Sequence, residues 1–188
     1  GTSAGTVLVK DVLPGIASSD PDNLTAVGSS LFFTASSASA GEELWKSDGT
    51  VAGTVQVKDI RPGTNSSSPT ELVNVSGTLC FQASNGTDGA ELWKSNGTAT
   101  GTVQVRDIHP GSEGSYPSFL TNVGGTLFFG ALHPANGYAL WKSTGTSAGT
   151  VVVKKALPSS NSIGSPTAVG TTLYFTYDDG THGTELWK

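Results

Sequence analysis

The sequence predicts an all-β fold, a β-propeller of four-stranded antiparallel blades with four blades per chain. Three observations carry this. Trp recurs at 45, 93, 141 and 187, at spacings of 48, 48 and 46 residues. Pro14, Pro62, Pro110 and Pro158 keep a constant spacing of 48. The apolar triplets Leu31-Phe32-Phe33, Leu79-Cys80-Phe81, Leu127-Phe128-Phe129 and Leu173-Tyr174-Phe175 hold the same register. Three landmarks in one register define four copies of one unit. A unit of about 40–50 residues built from four short strands is the mark of a propeller blade. A long β-solenoid is the competing architecture, but its rungs are shorter and lack three hairpins per unit.

The second unit shows how each element arises. Asp48-Gly49-Thr50 to Gly53 is turn chemistry, with glycine free to take positive φ. Thr54 to Ile60 alternates apolar and polar residues and is β-branched, so it reads as a strand. Pro62-Gly63 and the serine run to Pro69 form a loop. Glu71 to Val75 is a short strand, Ser76-Gly77 a tight hairpin turn, and Thr78 to Ala83 the most apolar strand. Asn85 to Gly89 turns the chain again, and Glu91 to Ser95 is the final strand with its Trp. No segment shows the three-and-four apolar spacing of a helix. The last copy is two residues shorter, an irregularity expected of a natural, diverged sequence.

By analogy with kelch-like propellers, Leu24 to Val27 and Leu72 to Val75 would be innermost. The apolar-triplet strand would follow, then the Leu-Trp strand, with Thr-Val-x-Val-Lys-Asp outermost. Residues 1–188 then form a single domain in which an N-terminal outer strand, 6–12, completes the last blade. Closure removes exposed sheet edges. Two rings satisfy it: a four-bladed monomer, or half of an eight-bladed homodimeric ring with two-fold symmetry. The chain has no initiator Met and starts inside a turn, as expected of a processed or excised piece. The sequons at Asn23, Asn65, Asn74, Asn85 and Asn96 arise easily in such a composition.

Composition narrows the function. The chain has 188 residues, with 25 Gly, 24 Ser and 24 Thr filling 73 positions. Charged residues make up 13%, the net charge is -5, and there is one Cys and no Met. Such a chain is a poor match for a phosphate backbone, which calls for clustered Lys and Arg, so no nucleic-acid partner is expected. No apolar run approaches the roughly 18 residues of a membrane span. A lone Cys80 allows neither an intrachain disulfide nor a cysteine-based zinc site.

The segment Glu43-Leu44-Trp45-Lys46-Ser47-Asp48-Gly49-Thr50, followed by Gly53-Thr54, resembles the ELWxxDGT repeat family of bacterial secreted or surface-attached tandem-repeat proteins. The resemblance covers the whole chain. Asn96 and Thr144 replace the Asp, Ala139 replaces the Glu, and Ala156-Leu157-Pro158-Ser159 replaces Asp-Ile-x-Pro-Gly. The resemblance implies a propeller-like extracellular domain and implies no enzyme activity.

Each candidate site competes with a structural reading. Trp45, Trp93, Trp141 and Trp187 could stack on sugars, but a residue recurring in every copy fits packing between neighbouring blades. The Asp-Gly-Thr turn could suggest Ca²⁺, yet six or more oxygens are needed and turn formation explains Asp, Asn and Thr equally. Asp20-Pro21-Asp22 and Asp178-Asp179-Gly180 are the denser acidic loops and the remaining Ca²⁺ candidates. His109, His133 and His182 lack metal-ligand spacing, and no nucleophile motif occurs. No cofactor and no catalytic residue are therefore expected. The loops joining second to third strands differ between copies, as do those joining outer to inner strands, and in a propeller the two sets share one face. Binding normally sits on such a face, which nominates Asn85, Asp88, Tyr116, His133, Asn136, Tyr138, Asp178, Asp179 and His182. The expectation is a non-catalytic extracellular module recognising a glycan or protein. A self-assembling surface-layer or matrix protein and a glycan-active hydrolase are the rivals.

Overall fold

The computed structural model describes residues 1–156 and 163–188. The Pro158 landmark therefore lies outside the described residues. One turn of 3-10 helix, Ser3–Gly5, is followed by strands only. The first sheet contains β1 (Asp22–Val27), β2 (Ser30–Ser37), β3 (Gly41–Ser47) and β4 (Val55–Lys58). The second contains β5 (Thr70–Val75), β6 (Thr78–Ser84), β7 (Ala90–Ser95) and β8 (Val103–Arg106). The third contains β9 (Ser118–Val123), β10 (Thr126–His133), β11 (Gly137–Ser143) and β12 (Val151–Lys155). In the fourth, β13 (Ile163–Val169), β14 (Thr172–Asp178) and β15 (Thr184–Trp187) pair.

Each sheet is an antiparallel meander in sequence order. The hairpins follow from local chemistry. At the β5–β6 turn Ser76 has φ 51° and Gly77 φ 87°, the doubly positive geometry whose twist matches the flanking strands. The β1–β2, β5–β6 and β9–β10 pairings each carry a register shift. It falls at Asn23, Glu71 and Phe119, all with φ between 57° and 59°. The expected order of strands within each unit matches this topology.

The sheets stand in a row, with β1 against β5, β5 against β9 and β9 against β13. Apolar side chains fill each step. Phe32, Leu44, Val57 and Ile60 of the first unit pack on Leu79, Phe81, Ala83 and Trp93 of the second. Cys80, Leu92, Val105 and Ile108 repeat this against Leu127, Phe129, Ala131 and Trp141. Val123 and Leu140 meet Leu173, Phe175 and Tyr177 at the third step. The core of this protein thus lies between sheets.

A buried carboxylate locks each of the first two steps. Glu43, on β3, accepts from the backbone N–H groups of Ile60, Arg61 and Ser67 and from the Ser67 hydroxyl, at 2.6–3.3 Å. Glu91, on β7, does the same with Ile108, His109 and Ser115, at 2.6–3.1 Å. Ser67 then accepts at its carbonyl from Ser84 N–H, and Ser115 from Leu132 N–H. A basic residue adds a second bridge: Lys58 Nζ donates to the Thr102 carbonyl (2.8 Å) and Arg106 to that of Thr150 (2.7 Å).

The expected outer strand over 6–12 is not formed, and among the described residues the fourth sheet has three strands. The segment instead lies against the first sheet. Lys10 Nζ donates to the Thr54 carbonyl at 2.7 Å, and Val12 packs on Phe33, Ala35 and Trp45. The residues have strand-like alternation, but a strand needs a partner, and among the described residues none pairs with this segment.

Substituting Glu91→Ala removes the acceptor of the Ile108 and His109 N–H groups and of the Ser115 hydroxyl, leaving Ser115 N–H only the Ala90 carbonyl. We expect a loss of about 3 kcal/mol in unfolding free energy, read as a lower urea midpoint, while Asp107→Asn shifts it by less than about 0.5 kcal/mol.

Candidate functional site

The β2–β3, β6–β7 and β10–β11 loops meet the loops that carry the chain from one sheet to the next. Glu42 N–H donates to Ser66 Oγ at 2.9 Å, and Tyr116 N–H to the Ala90 carbonyl at 3.0 Å. Gly89 and Gly114 approach so closely that a Cβ on either would strike backbone of the other loop. The two loop sets share one face, as the sequence anticipates for a propeller.

The structure brings five of the nominated residues into one region. The segment through Tyr116 is flanked by the Asn85–Asp88 turn on one side, through Ala90. On the other side Ser115 accepts from Leu132, next to His133 and Asn136. Asn85 is used locally: Oδ1 accepts from Thr87 and Asp88 N–H, and Nδ2 donates to Asp88 Oδ2 at 2.8 Å. His133 Nδ1 accepts from Ala135 N–H at 3.1 Å, and the ring lies 5.8 Å from Trp141. Burial, with help from the Arg106 charge, holds its pKa below the usual histidine value. Tyr138 shares a hydrogen bond with Ser118 at 2.9 Å and lies over Gly130, where a Cβ would overlap its hydroxyl.

Asp178, Asp179 and His182 sit apart from this region, on the β14–β15 loop. Asp178 accepts from Gly180 N–H; Asp179 accepts from Thr181 and His182 N–H and pairs with His182 Nδ1 at 2.9 Å. These contacts hold the Asp179 carboxyl well below the usual carboxylate range. Among the described residues no group of three or more His, Cys, Asp or Glu side chains converges as a metal cluster would.

Phe119 escaped the sequence reading. It is 47% exposed and lies three positions beyond Tyr116, which is 55% exposed. Both have positive φ, 58° and 47°. Glu71 holds the corresponding bulge one unit earlier, and its Oε2 accepts from Leu120 N–H at 3.1 Å. Nothing in a phenylalanine codon announces positive φ; only the bulge register reveals it.

The four tryptophans are placed differently. Trp45, Trp93 and Trp141 are buried. Lys58 lies 5.8 Å over Trp93, Arg106 5.8 Å over Trp141, and Lys154 5.5 Å over Trp187. The buried rings of Trp45, Trp93 and Trp141 offer no open face to a sugar, whereas Trp187 is half-buried. Burial pushes the Cys80 thiol up to about 11, which removes it as a nucleophile. The Asp-Gly-Thr turn is an internal hydrogen-bonded loop. Asp48 Oδ1 accepts from Thr50 N–H and Oγ1 at 2.9 and 2.7 Å, and Asn96 from Thr98 at 3.0 and 2.7 Å.

Fold and site together define a class: a row of repeated antiparallel sheets that presents one loop face with an exposed aromatic pair. No family model, no curated protein and no solved structure matches this chain.

The depressed Asp179 pKa fixes a pH response. The folded value lies below the ordinary value of 3.8, so the contribution of this turn is present above pH 3.8 and is lost as pH falls through the lower folded value. Amide chemical shifts of Thr181 and His182 followed by NMR should show a step below the ordinary carboxylate range, and Asp179→Ala should abolish that step.

Proposed function

We propose that the four sheets are blades of a β-propeller and that the chain is a non-catalytic binding module. It recognises a neutral glycan through the loop face. The observation that carries this is the pair Tyr116 and Phe119. Large side chains avoid positive φ, and holding one there costs about 1–3 kcal/mol. Two such residues, both left in solvent on a segment pinned by Glu91 and Ala90, form a rigid aromatic platform. A rigid aromatic presents contact area at low entropic cost, which suits the apolar face of a sugar ring.

The surroundings fit an uncharged ligand. Asn136, Ser118 and Thr121 are polar and neutral, and the chain as a whole is poor in charge. The carboxylates of Glu43, Glu91, Asp178 and Asp179 are occupied by N–H donors, which supports binding over hydrolysis. The resemblance to ELWxxDGT repeat proteins supports a module that works outside the cell. A protein ligand would need a larger apolar centre than this pair provides.

A glycan array probed with the 188-residue chain tests the reading. Neutral glycans should be retained, and Tyr116→Ala or Phe119→Ala should weaken the best hit at least tenfold by titration. Exchanging Asp178–His182 for another loop sequence should leave it unchanged. An empty array, or hits indifferent to both aromatic substitutions, overturns the proposal.

A further inference from the structure

One position of the repeat is aromatic in three units and small in the remaining one. Phe32, Phe128 and Tyr174 stand at the centre of the apolar triplet, where the second unit has Cys80. In the first step between sheets Phe32 reaches across to the turn that follows β7. Its Cζ lies 3.2 Å from where a Cβ on Gly97 would stand. One repeat later the counterpart of that glycine is Gly145, and no atom of Cys80 comes within 4 Å of the same point. Apart from its chain neighbours, only Lys94 Cδ approaches it, at 3.9 Å.

Where the ring is missing there is a pocket. About 260 Å³ of space opens between the second and third sheets, lined by Val75, Cys80, Lys94, Leu127, Thr144 and Thr146 among others. An apolar cavity of about 150 Å³ is enough to hold benzene. Val75 and Leu127 supply apolar wall, and the threonines supply neutral hydroxyls. Cys80 is 3% exposed, is in no disulfide, and its thiol has no hydrogen-bond partner among the described residues. Lys94 is the one charged residue of the lining, and no carboxylate lies in it. Its Nζ donates to the Gly145 carbonyl at 2.7 Å, which leaves the other donors of the ammonium free. Burial raises the pKa of the Cys80 thiol and the Lys94 charge opposes that rise, so thiol and ammonium border the same space.

We propose that this pocket binds a small aromatic carboxylate. The ring takes the space that Phe32 fills one step earlier, against Val75, Leu127 and the polarisable Cys80 sulfur. The carboxylate accepts from the free donors of Lys94, a charge-assisted contact. A neutral ring would leave that ammonium without a counter-charge, and a cation would meet a like charge that no lining carboxylate offsets. The site is separate from the loop face. Val75-Ser76 and Thr144 to Thr146 belong to the β5–β6 and β11–β12 turns. Because each sheet is a meander, these turns lie at the opposite strand ends from the β6–β7 and β10–β11 loops. The proposal therefore stands apart from the glycan reading.

Benzoate titrated into the isotope-labelled chain should shift the amides of Leu127, Thr144, Gly145 and Thr146 saturably, and benzyl alcohol should bind there more weakly. Cys80→Phe restores the ring of the other units. It should keep the amide spectrum of the loop face and weaken benzoate by about tenfold or more. Lys94→Gln, which leaves the pocket open, keeps the test decisive if the phenylalanine variant does not fold. It should weaken benzoate roughly tenfold, the loss expected for a charge-assisted hydrogen bond left unmade, and change benzyl alcohol by less than about twofold. Tyr116→Ala should change neither ligand. No saturable shift at those four amides, an unchanged benzoate affinity in either pocket variant, or benzyl alcohol bound as tightly as benzoate would each overturn the proposal. So would loss of benzoate binding in Tyr116→Ala, which would move the site to the loop face.

Discussion

A carboxylate taken out of water must find a donor for nearly every lone pair, or burial is too costly to sustain. Glu43 and Glu91 solve this with donors from two separate places, the turn after the outer strand and the loop that enters the next sheet. Each side chain therefore fixes two relations together: the end of its own sheet and the start of the next. Desolvation raises the pKa of both, opposed by the serine hydroxyl and the amides. The apolar steps between sheets are generous but non-directional. The carboxylate sets the angle and height at which one sheet follows another, and the loop face is a consequence of that setting.

The third unit has lost this carboxylate. Ala139 stands where Glu43 and Glu91 stand, and in the same unit the Asp-Ile-x-Pro-Gly segment that supplies the donors is replaced by Ala156-Leu157-Pro158-Ser159. Without the acid, the Ala156 N–H, counterpart of the Ile60 and Ile108 donors, takes a different acceptor. Other contacts take up the connection. Tyr138 reaches Ser118 across Gly130, Ala156 N–H donates to the Tyr138 carbonyl, and Tyr177 donates to the Lys155 carbonyl at 3.1 Å. The glycine at 130 and the tyrosine at 138 are thus a matched substitution.

The order of strands was legible because two periods coincide in this chain, alternation within strands and the 48-residue repeat between them. The role of the glutamate was not, because its donors lie 17 to 24 residues away and look like ordinary loop residues. The segment 6–12 has the composition of a strand but not the state, since composition belongs to one segment and pairing to two. Tyr116 stood out as an aromatic in a variable loop. Phe119 did not, because it sits in what reads as an inward-alternating strand. The bulge at positive φ turns it outward, and bulges leave little trace in side-chain pattern.

The abundance of hydroxyl residues is explained by where their hydrogen bonds go. Ser47 pairs with Thr54, Ser95 with Thr102 and Ser143 with Thr150, at 2.7–2.8 Å in buried positions. Thr54, Thr102 and Thr150 also close the preceding turn onto the carbonyls of Thr50, Thr98 and Thr146. Turns closed by neutral groups need no ion pairs, so few charges are required to build the scaffold. Several of those present are used inside it: Lys58 and Arg106 on carbonyls of the next sheet, Lys94 on that of Gly145 at 2.7 Å. A surface built this way exerts little long-range field. On the proposed binding role, recognition would rest on shape, stacking and short hydrogen bonds, contacts that the two aromatics held outward at positive φ can offer.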